Sequence, residues 1–542
     1  MKNLDQTQDK TLDTLLKPVL IACGSVQYSE SEHQSISPER IGFKAYNLAR
    51  MADLKLSVPP AFVLGTAWCH QVETLTPSIW QEALAALEKT SDTTFGDSRR
   101  PLLLSVRSGA AISMPGMMET LLNIGLSDST VAGFLRLTGN PKLVWDAYRR
   151  LVSGFGEVVM GVGAEVFEED LAQIAGDRDE RELDFSELRA LTQAHLASVQ
   201  RVTGRPFPQD PHEQLEQAIQ AVFASWSADK ARDYRRLNQL PDSMGTAVTV
   251  QRMVFGNAGG LSGAGVGFSR HPSTGADEAW IDFLFNAQGE DVVSGRRSAR
   301  GHDALAAAAP RVWNELLESV NQLERSFRDM QDFEFTVENG HLWLLQTRDG
   351  KRTAQAQARI ALDLLKEGII TVDEARARTE DLTEERLAFE RVVIEGEVAE
   401  AAPIASAVSA AHGVAIGEIA LDEDRAQARQ AQGVPVILVR HDAETRDIVA
   451  LDIAEGLLTA RGARTSHAAV VARQLAKVCL VACDNLRIDL SRRCIAFDDV
   501  ELVEGEIISL DGHNGAIYRG AANTVRDVPG DLLERLEQLR LQ

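Results

Sequence analysis

Apolar positions change period along this chain, and the changes divide it. From Ile41 the pattern is helical over residues 45–54. A Val-Pro-Pro turn then leads into a short apolar run at 62–64 that reads as a strand. A second strand at 102–106 ends at Arg107-Ser108-Gly109, and residues 129–237 carry long helical periodicity. Strand signals return at 247–253 and 279–284, separated by a glycine-rich stretch. Runs at 333–337 and 341–346 flank Glu338-Asn339-Gly340, where Asn-Gly predicts a tight hairpin. Residues 351–398, rich in Ala, Glu, Arg and Leu, predict a linker of two helices divided near Gly368. Beyond residue 399, short runs at 435–439, 456–459, 478–482 and 507–510 alternate with helical stretches, the pattern of a compact α/β domain ending near 525. Residues 526–542 predict one amphipathic helix, and residues 1–38 an extension with a helix around 12–20 and a polar tail. The fold class expected is multidomain, mixed α/β and α+β.

Composition narrows the function classes. The chain has 542 residues, 56 basic and 79 acidic, for a net charge of −23. Such a balance argues against nonspecific nucleic-acid binding, which needs clustered cations. Five cysteines are too few for a disulfide scaffold, and Cys479 and Cys483 sit in an apolar run as expected for buried strand thiols. No run approaches the ~18 apolar residues of a membrane span. The polar N-terminus lacks a secretory pattern, so the cytoplasm is the expected compartment and no membrane partner is expected.

Candidate chemistry concerns phosphate. Between Gly256 and Gly267 lie six glycines, whose bare backbone N–H groups can approach phosphate oxygens; a plain loop between strands fits them as well. Lys44 beside a turn glycine can reach phosphate, and Arg107 at a strand end can clamp it with two parallel bonds. Either is also an ordinary surface cation. Asp332 and Glu334 alternate along one strand and so share a face, which suits Mg²⁺ or simply a solvated strand. Gln346 and Arg348 alternate likewise on the partner strand. In Thr465-Ser466-His467, a hydroxyl caps the next helix and places His467 in its first turn, where free N–H groups favour an anion. A phosphoryl group on its ring would be stabilised there.

The segments SVRSGAAISMPGMMETLLNIGLSD (105–128), GTAVTVQRMVFGN (245–257), SRHPSTG (269–275), NAQGEDVVSG (286–295), FRDMQDFEFT (327–336), LLQTRDGKRT (344–353) and TSHAAVVAR (465–473) make the chain resemble the pyruvate, phosphate dikinases of the phosphoenolpyruvate-utilising enzyme family, from about 41 to 520. That resemblance implies an ATP-grasp-like nucleotide-binding domain over 39–350 and a swivelling phosphohistidine domain over 399–525. It implies that Lys44, Arg107 and Arg348 meet phosphates, and that Gly263 and Gly265 lie in the nucleotide loop. Asp332, Glu334 and Gln346 would hold Mg²⁺-ATP, Glu334 and Gln346 touching the nucleotide as well. His467 would take the β-phosphoryl group, leaving AMP, while inorganic phosphate takes the γ-phosphoryl group. Thr465 matches a regulatory phosphorylation position of plant members.

The family's acceptor barrel has no counterpart in the matched segments. The implied acceptor is therefore held by a separate protein or subunit, or is a small molecule. The alternative is a nucleotide-binding regulator of a full-length dikinase. Departures from the family pattern include Gly42-Phe43-Lys44-Ala45 for Gly-Gly-Lys-Gly, Ser262-Gly263-Ala264-Gly265 for Ser-Gly-Thr-Gly, Gly462-Ala463-Arg464 for Gly-Gly-Met, and Ala411-His412-Gly413 for Ser-Pro-Gly.

Overall fold

The computed structural model describes residues 16–23, 36–293 except 113, 115–117, 177 and 179, then 302–393, 402–442 and 448–541 except 465 and 476. The chain forms two compact units. One comprises residues 1–259 with 343–346, the other 260–342 with 347–542.

In the first unit, strands β1 (Val19–Ile21), β2 (Ala61–Leu64), β3 (Leu104–Gly109), β4 (Thr120–Ile124) and β5 (Ala247–Arg252) form a sheet in the order β1-β2-β5-β3-β4. Residues 19 and 20, placed in a helix by the sequence reading, instead pair with Val63 and Phe62 as an edge strand. Three consecutive apolar residues, VLI, satisfy a strand as readily as a helix turn, and only the pairing with β2 decides.

Helix α1 (Phe43–Asp53) buries Ala45, Leu48 and Met51, spaced for one face. The helical region packs on the sheet through α2 (Pro141–Val158), against which α3 (Phe185–Thr203) lies, and through α4 (Pro211–Ala224). Leu151, Phe155, Ile219 and Val222 share one core with Leu64, Val106, Ile124 and Val250. Helix α3 starts at a capping box, in which Asp184 accepts from Glu187 N–H and Glu187 reaches back.

The second unit carries β6 (Gly263–Phe268), β7 (Trp280–Phe285), β8 (Gln331–Glu338) and β9 (His341–Asp349), in sheet order β9-β8-β6-β7. The hairpin between β8 and β9 turns through Asn339 (φ 51°) and Gly340 (φ 78°), two positive angles in succession as the Asn-Gly signal predicts.

Half of the glycine-rich stretch is strand rather than loop. On β6, Gly263, Gly265 and Gly267 pair with Phe285, Phe283 and Ile281 on one side, and with Val337, Phe335 and Phe333 on the other. A Cβ on Gly263 would lie 2.1 Å from the Phe283 ring, and one on Gly265 would lie 2.3 Å from the Phe335 ring. The two rings stack 5.8 Å apart at 12°. These glycines make room for aromatic side chains folded across β6.

Helices α5 (Ala354–Lys366) and α6 (Val372–Thr379) follow, divided at Gly368 (φ 70°). The last domain has the strands β10 (Phe389–Val392), β11 (Ala405–Ser406), β12 (Val408–Ala411), β13 (Val414–Ala420), β14 (Val436–Arg440), β15 (Gly456–Thr459), β16 (Val478–Val481), β17 (Ile507–Asp511), β18 (Ala516–Arg519) and β19 (Thr524–Asp527). Eight of them form one sheet, β11-β18-β17-β13-β14-β15-β16-β12.

At its centre β13, β14, β15 and β16 run parallel, crossed over by α7 (Glu423–Gln430), α8 (Ile448–Ile453) and α9 (His467–Gln474). Fully buried runs such as Gly456–Thr459 and Val478–Val481 are what a sheet covered on both faces requires. β10 and β19 pair separately as an antiparallel ribbon. The final helix α10 (Gly530–Leu541) buries Leu532, Leu536 and Leu539 among Ile360, Leu364 and Ala375 of α5 and α6. Among the described residues no helix is long and apolar enough to cross a membrane.

Candidate active site

In the first unit, Gly42 adopts φ 77° and lies so close to β3 that a Cβ there would sit 2.0 Å from the Gly109 carbonyl oxygen. Phe43 N–H donates to Ala110 O at 2.9 Å. The glycine therefore brings the first turn of α1, and Lys44 with it, against the end of β3 that carries Arg107. The structure brings these two predicted cations to one end of one sheet.

In the second unit, Asp332 and Glu334 sit on β8 two residues apart. Asp332 is buried, and Arg348 Nε donates to its Oδ2 at 2.8 Å. Burial raises the Asp332 pKa above the ordinary carboxylate value, against the pull of Arg348. Burial also opposes the charge on Arg348, but Asp332 and Glu334 outweigh it, so its pKa lies above the ordinary value. Among the described residues no three His, Cys, Asp or Glu are grouped to hold a metal ion unaided. Two carboxylates on one strand face do suit Mg²⁺, which keeps water and substrate phosphate oxygens in its coordination shell and needs only one or two protein carboxylates. Gln346 belongs to the stretch of β9 counted with the first unit. Gly263 and Gly265 are buried strand residues whose requirement is the aromatic packing described above.

His467 is the first residue of α9, after β15. Ser466, not Thr465, is the N-cap, its side chain accepting from Ala469 N–H at 3.4 Å. Thr465 lies outside the described residues. Helix α9 thus starts beyond the carboxyl end of a parallel strand, where ligands of such sheets bind, and offers free N–H groups to an anion.

The loop before α9 is fixed to the β6–β9 sheet of the same unit. Ala463 is fully buried with Ala264, Val266, Leu284 and Val292. Arg464 donates from Nε to Asp282 Oδ1 at 3.1 Å and from Nη2 to Ile281 O at 3.1 Å, and its guanidinium lies 4.6 Å over the Trp280 ring. Asp282 is wholly buried. From α9, Arg473 donates to Ala410 O at 2.7 Å and Arg464 O at 2.9 Å, and covers the Phe268 and Trp280 rings. Burial pushes its pKa down to about 10.

Sequence reasoning singled out Arg464 as a cation for partner docking, phosphate binding or solvent, and missed Asp282, Trp280 and Arg473. A lone acid inside the apolar run WIDFLF was the available signal, since a buried carboxylate demands a partner. Cys479 and Cys483 are buried thiols as expected, Cys479 pushed up to about 12 by burial.

Two family models match. One, described as pyruvate phosphate dikinase, AMP/ATP-binding domain, covers residues 71–304 and 302–368. The other, described as PEP-utilising enzyme, mobile domain, covers 433–515. Among curated proteins, pyruvate, phosphate dikinase of Rhizobium meliloti (strain 1021) is 42% identical over 514 residues, spanning 91% of this chain and 57% of that protein. The chloroplastic enzyme of Mesembryanthemum crystallinum is 42% identical, over 89% of this chain and 51% of its own length. That of Clostridium symbiosum is 40% identical, over 94% and 59%. The chain thus spans between about half and three-fifths of the length of these relatives.

Proposed function

Because the chain belongs to the pyruvate, phosphate dikinase family, we propose that it charges its own histidine from ATP: His467 attacks the β-phosphorus, AMP leaves, and the γ-phosphoryl group passes to inorganic phosphate as pyrophosphate. The observation that carries this reading is the position of His467 at the start of a capped helix beyond a parallel strand, inside TSHAAVVAR. There the N–H groups of α9 stabilise the negative phosphoryl group on the imidazole. An unprotonated ring nitrogen is the nucleophile.

Lys44 and Arg107 bind phosphate oxygens, Arg107 with two donors in a fixed fork. Asp332 and Glu334, with Gln346, hold Mg²⁺ on the nucleotide; Mg²⁺, when bound, neutralises charge on the phosphates. Arg348 holds the Asp332 carboxylate and meets phosphate beside it. The phosphohistidine domain then swivels to present the phosphoryl group to an acceptor on a separate protein or subunit, or to a small molecule.

The products test this reading. With Mg²⁺, ATP and phosphate, chromatography should find AMP and pyrophosphate, formed up to one equivalent per chain before acceptor is added. Formation of ADP, or no AMP with any acceptor fraction present, contradicts it and leaves a nucleotide-binding regulator.

A further inference from the structure

Three histidines from distant parts of the chain meet in the second unit. His271 lies in the loop after β6, His412 in the turn between β12 and β13, and His513 in the turn between β17 and β18. The His271 and His412 rings are 5.4 Å apart, and the His412 and His513 rings 5.2 Å. An aromatic ring backs each outer member: Trp280 stacks on His271 at 5.0 Å, and Phe389 lies 5.2 Å from His513. The two turns of the histidine domain are joined by Gly512 N–H donating to Gly413 O at 2.8 Å. The His271–His412 contact is therefore one that ties this domain to the β6–β7 side of the neighbouring sheet. Among the described residues no such set is arranged to hold a metal ion. The rings pack against each other rather than about a shared centre.

Geometry fixes the protonation of His271. His271 Nδ1 accepts from the backbone N–H groups of Ser273 at 3.2 Å and Thr274 at 3.3 Å, so that nitrogen carries no proton. His513 Nε2 lies 2.8 Å from Glu390 O and donates to it. Burial, with His271 and His513 adding to it, pushes the His412 pKa down to about 4. Burial lowers that of His271 as well, where Arg464 and Arg473 add to the effect and Glu278 opposes it. On the His513 side, Asp511 is occupied with the His513 backbone N–H at 2.9 Å.

We propose that His271 and His412, with His513 packed behind, form an acid-released clasp, which holds the phosphohistidine domain on the β6–β9 sheet while His412 is neutral and lets it go when that ring charges. This rests on the reading that the domain leaves that sheet to deliver its phosphoryl group. The sign follows from linkage. In the released domain a histidine titrates near ~6.5, whereas docked His412 titrates near about 4. Docking is therefore at full strength above ~6.5 and weakens as pH falls from there toward 4, where the docked ring also charges. From pH 7 to pH 5 His412 weakens docking by at most about twentyfold, because His513 stays beside it in the released domain.

The test is single-molecule energy transfer on the full chain, with dyes on unnatural residues at the exposed positions Glu318 and Arg487. The docked-to-released ratio of the parent should fall severalfold, up to about twentyfold, between pH 7 and 5, and recover on return. In His412→Phe, which keeps a ring, and in His412→Gln, most of that fall should disappear. A fall of the same size in both variants, or none in the parent although a released population exists, overturns the clasp. If no released population appears at any pH, even after Mg²⁺-ATP is added, the swivelling reading itself fails.

Discussion

In His467→Ala, phosphoryl transfer from ATP to the protein is expected to fall at least ~10³-fold, to background, because the Ser466 hydroxyl at the head of α9 is a far weaker nucleophile than a ring nitrogen and is engaged as the cap. The helix should survive the change. His467 is not the cap, and Ser466 continues to accept from Ala469 N–H. Equilibrium dialysis should therefore find ATP bound as well by the variant as by the parent. Label retained on His467→Ala would move the nucleophile elsewhere and undo the assignment. Loss of ATP binding together with label would mean that the substitution had damaged the fold.

The second large effect is on stability. Gly42→Ala is expected to cost about 2–4 kcal/mol, or to prevent folding of the first unit, for two reasons that add. The φ of 77° is one that a residue with a Cβ adopts only under strain, and the Cβ would overlap the Gly109 carbonyl oxygen at 2.0 Å. Nothing flexible can give way, since the atoms the Cβ would meet are all Gly109 backbone. Gly154 is the contrast. It lies inside helix α2 with nothing within 4 Å of an added Cβ, so Gly154→Ala should raise stability by about 0.5–1 kcal/mol. Urea titrations of the two variants decide the matter. A Gly42→Ala midpoint equal to that of the parent would contradict the close approach that puts Lys44 beside the end of β3.

How much of this was legible in the sequence depends on the range of the interaction. The β8–β9 hairpin was readable because Asn339-Gly340 specifies its turn through local backbone angles alone. The parallel strands β14, β15 and β16 and the antiparallel β17 were readable as apolar runs of strand length, close to where the structure has them. The helix pair α5 and α6 was readable from composition and the break at Gly368.

Pairing-dependent features were not. Val19–Ile21 becomes a strand only because β2 offers an edge. The glycines of β6 read as a phosphate loop because sequence spacing cannot show that Phe283 and Phe335 will lie across them. At the site, the individual residue types of Lys44, Arg107, Asp332 and Glu334 suggested phosphate and Mg²⁺ chemistry. The fixing of the histidine loop did not show, because Arg464 and Asp282 are 182 residues apart in the chain. The same is true of the histidine cluster, whose members come from three turns and share no local signal.

The β10–β19 ribbon illustrates the same limit: Phe389–Val392 falls inside the stretch that reads as a helical linker, without an apolar alternation to mark it, and its partner Thr524–Asp527 lies at the far end of the last domain.

The central claim is that His467 takes the β-phosphoryl group of ATP. Its most direct test is to incubate the full chain with Mg²⁺ and phosphate, using ATP labelled at either the β- or the γ-phosphorus, and to follow label on the intact protein. Label from the β position should stay on the protein in an acid-labile, base-stable form, while label from the γ position should appear only in pyrophosphate. Retention of γ-label, or an acid-stable adduct, would contradict the account.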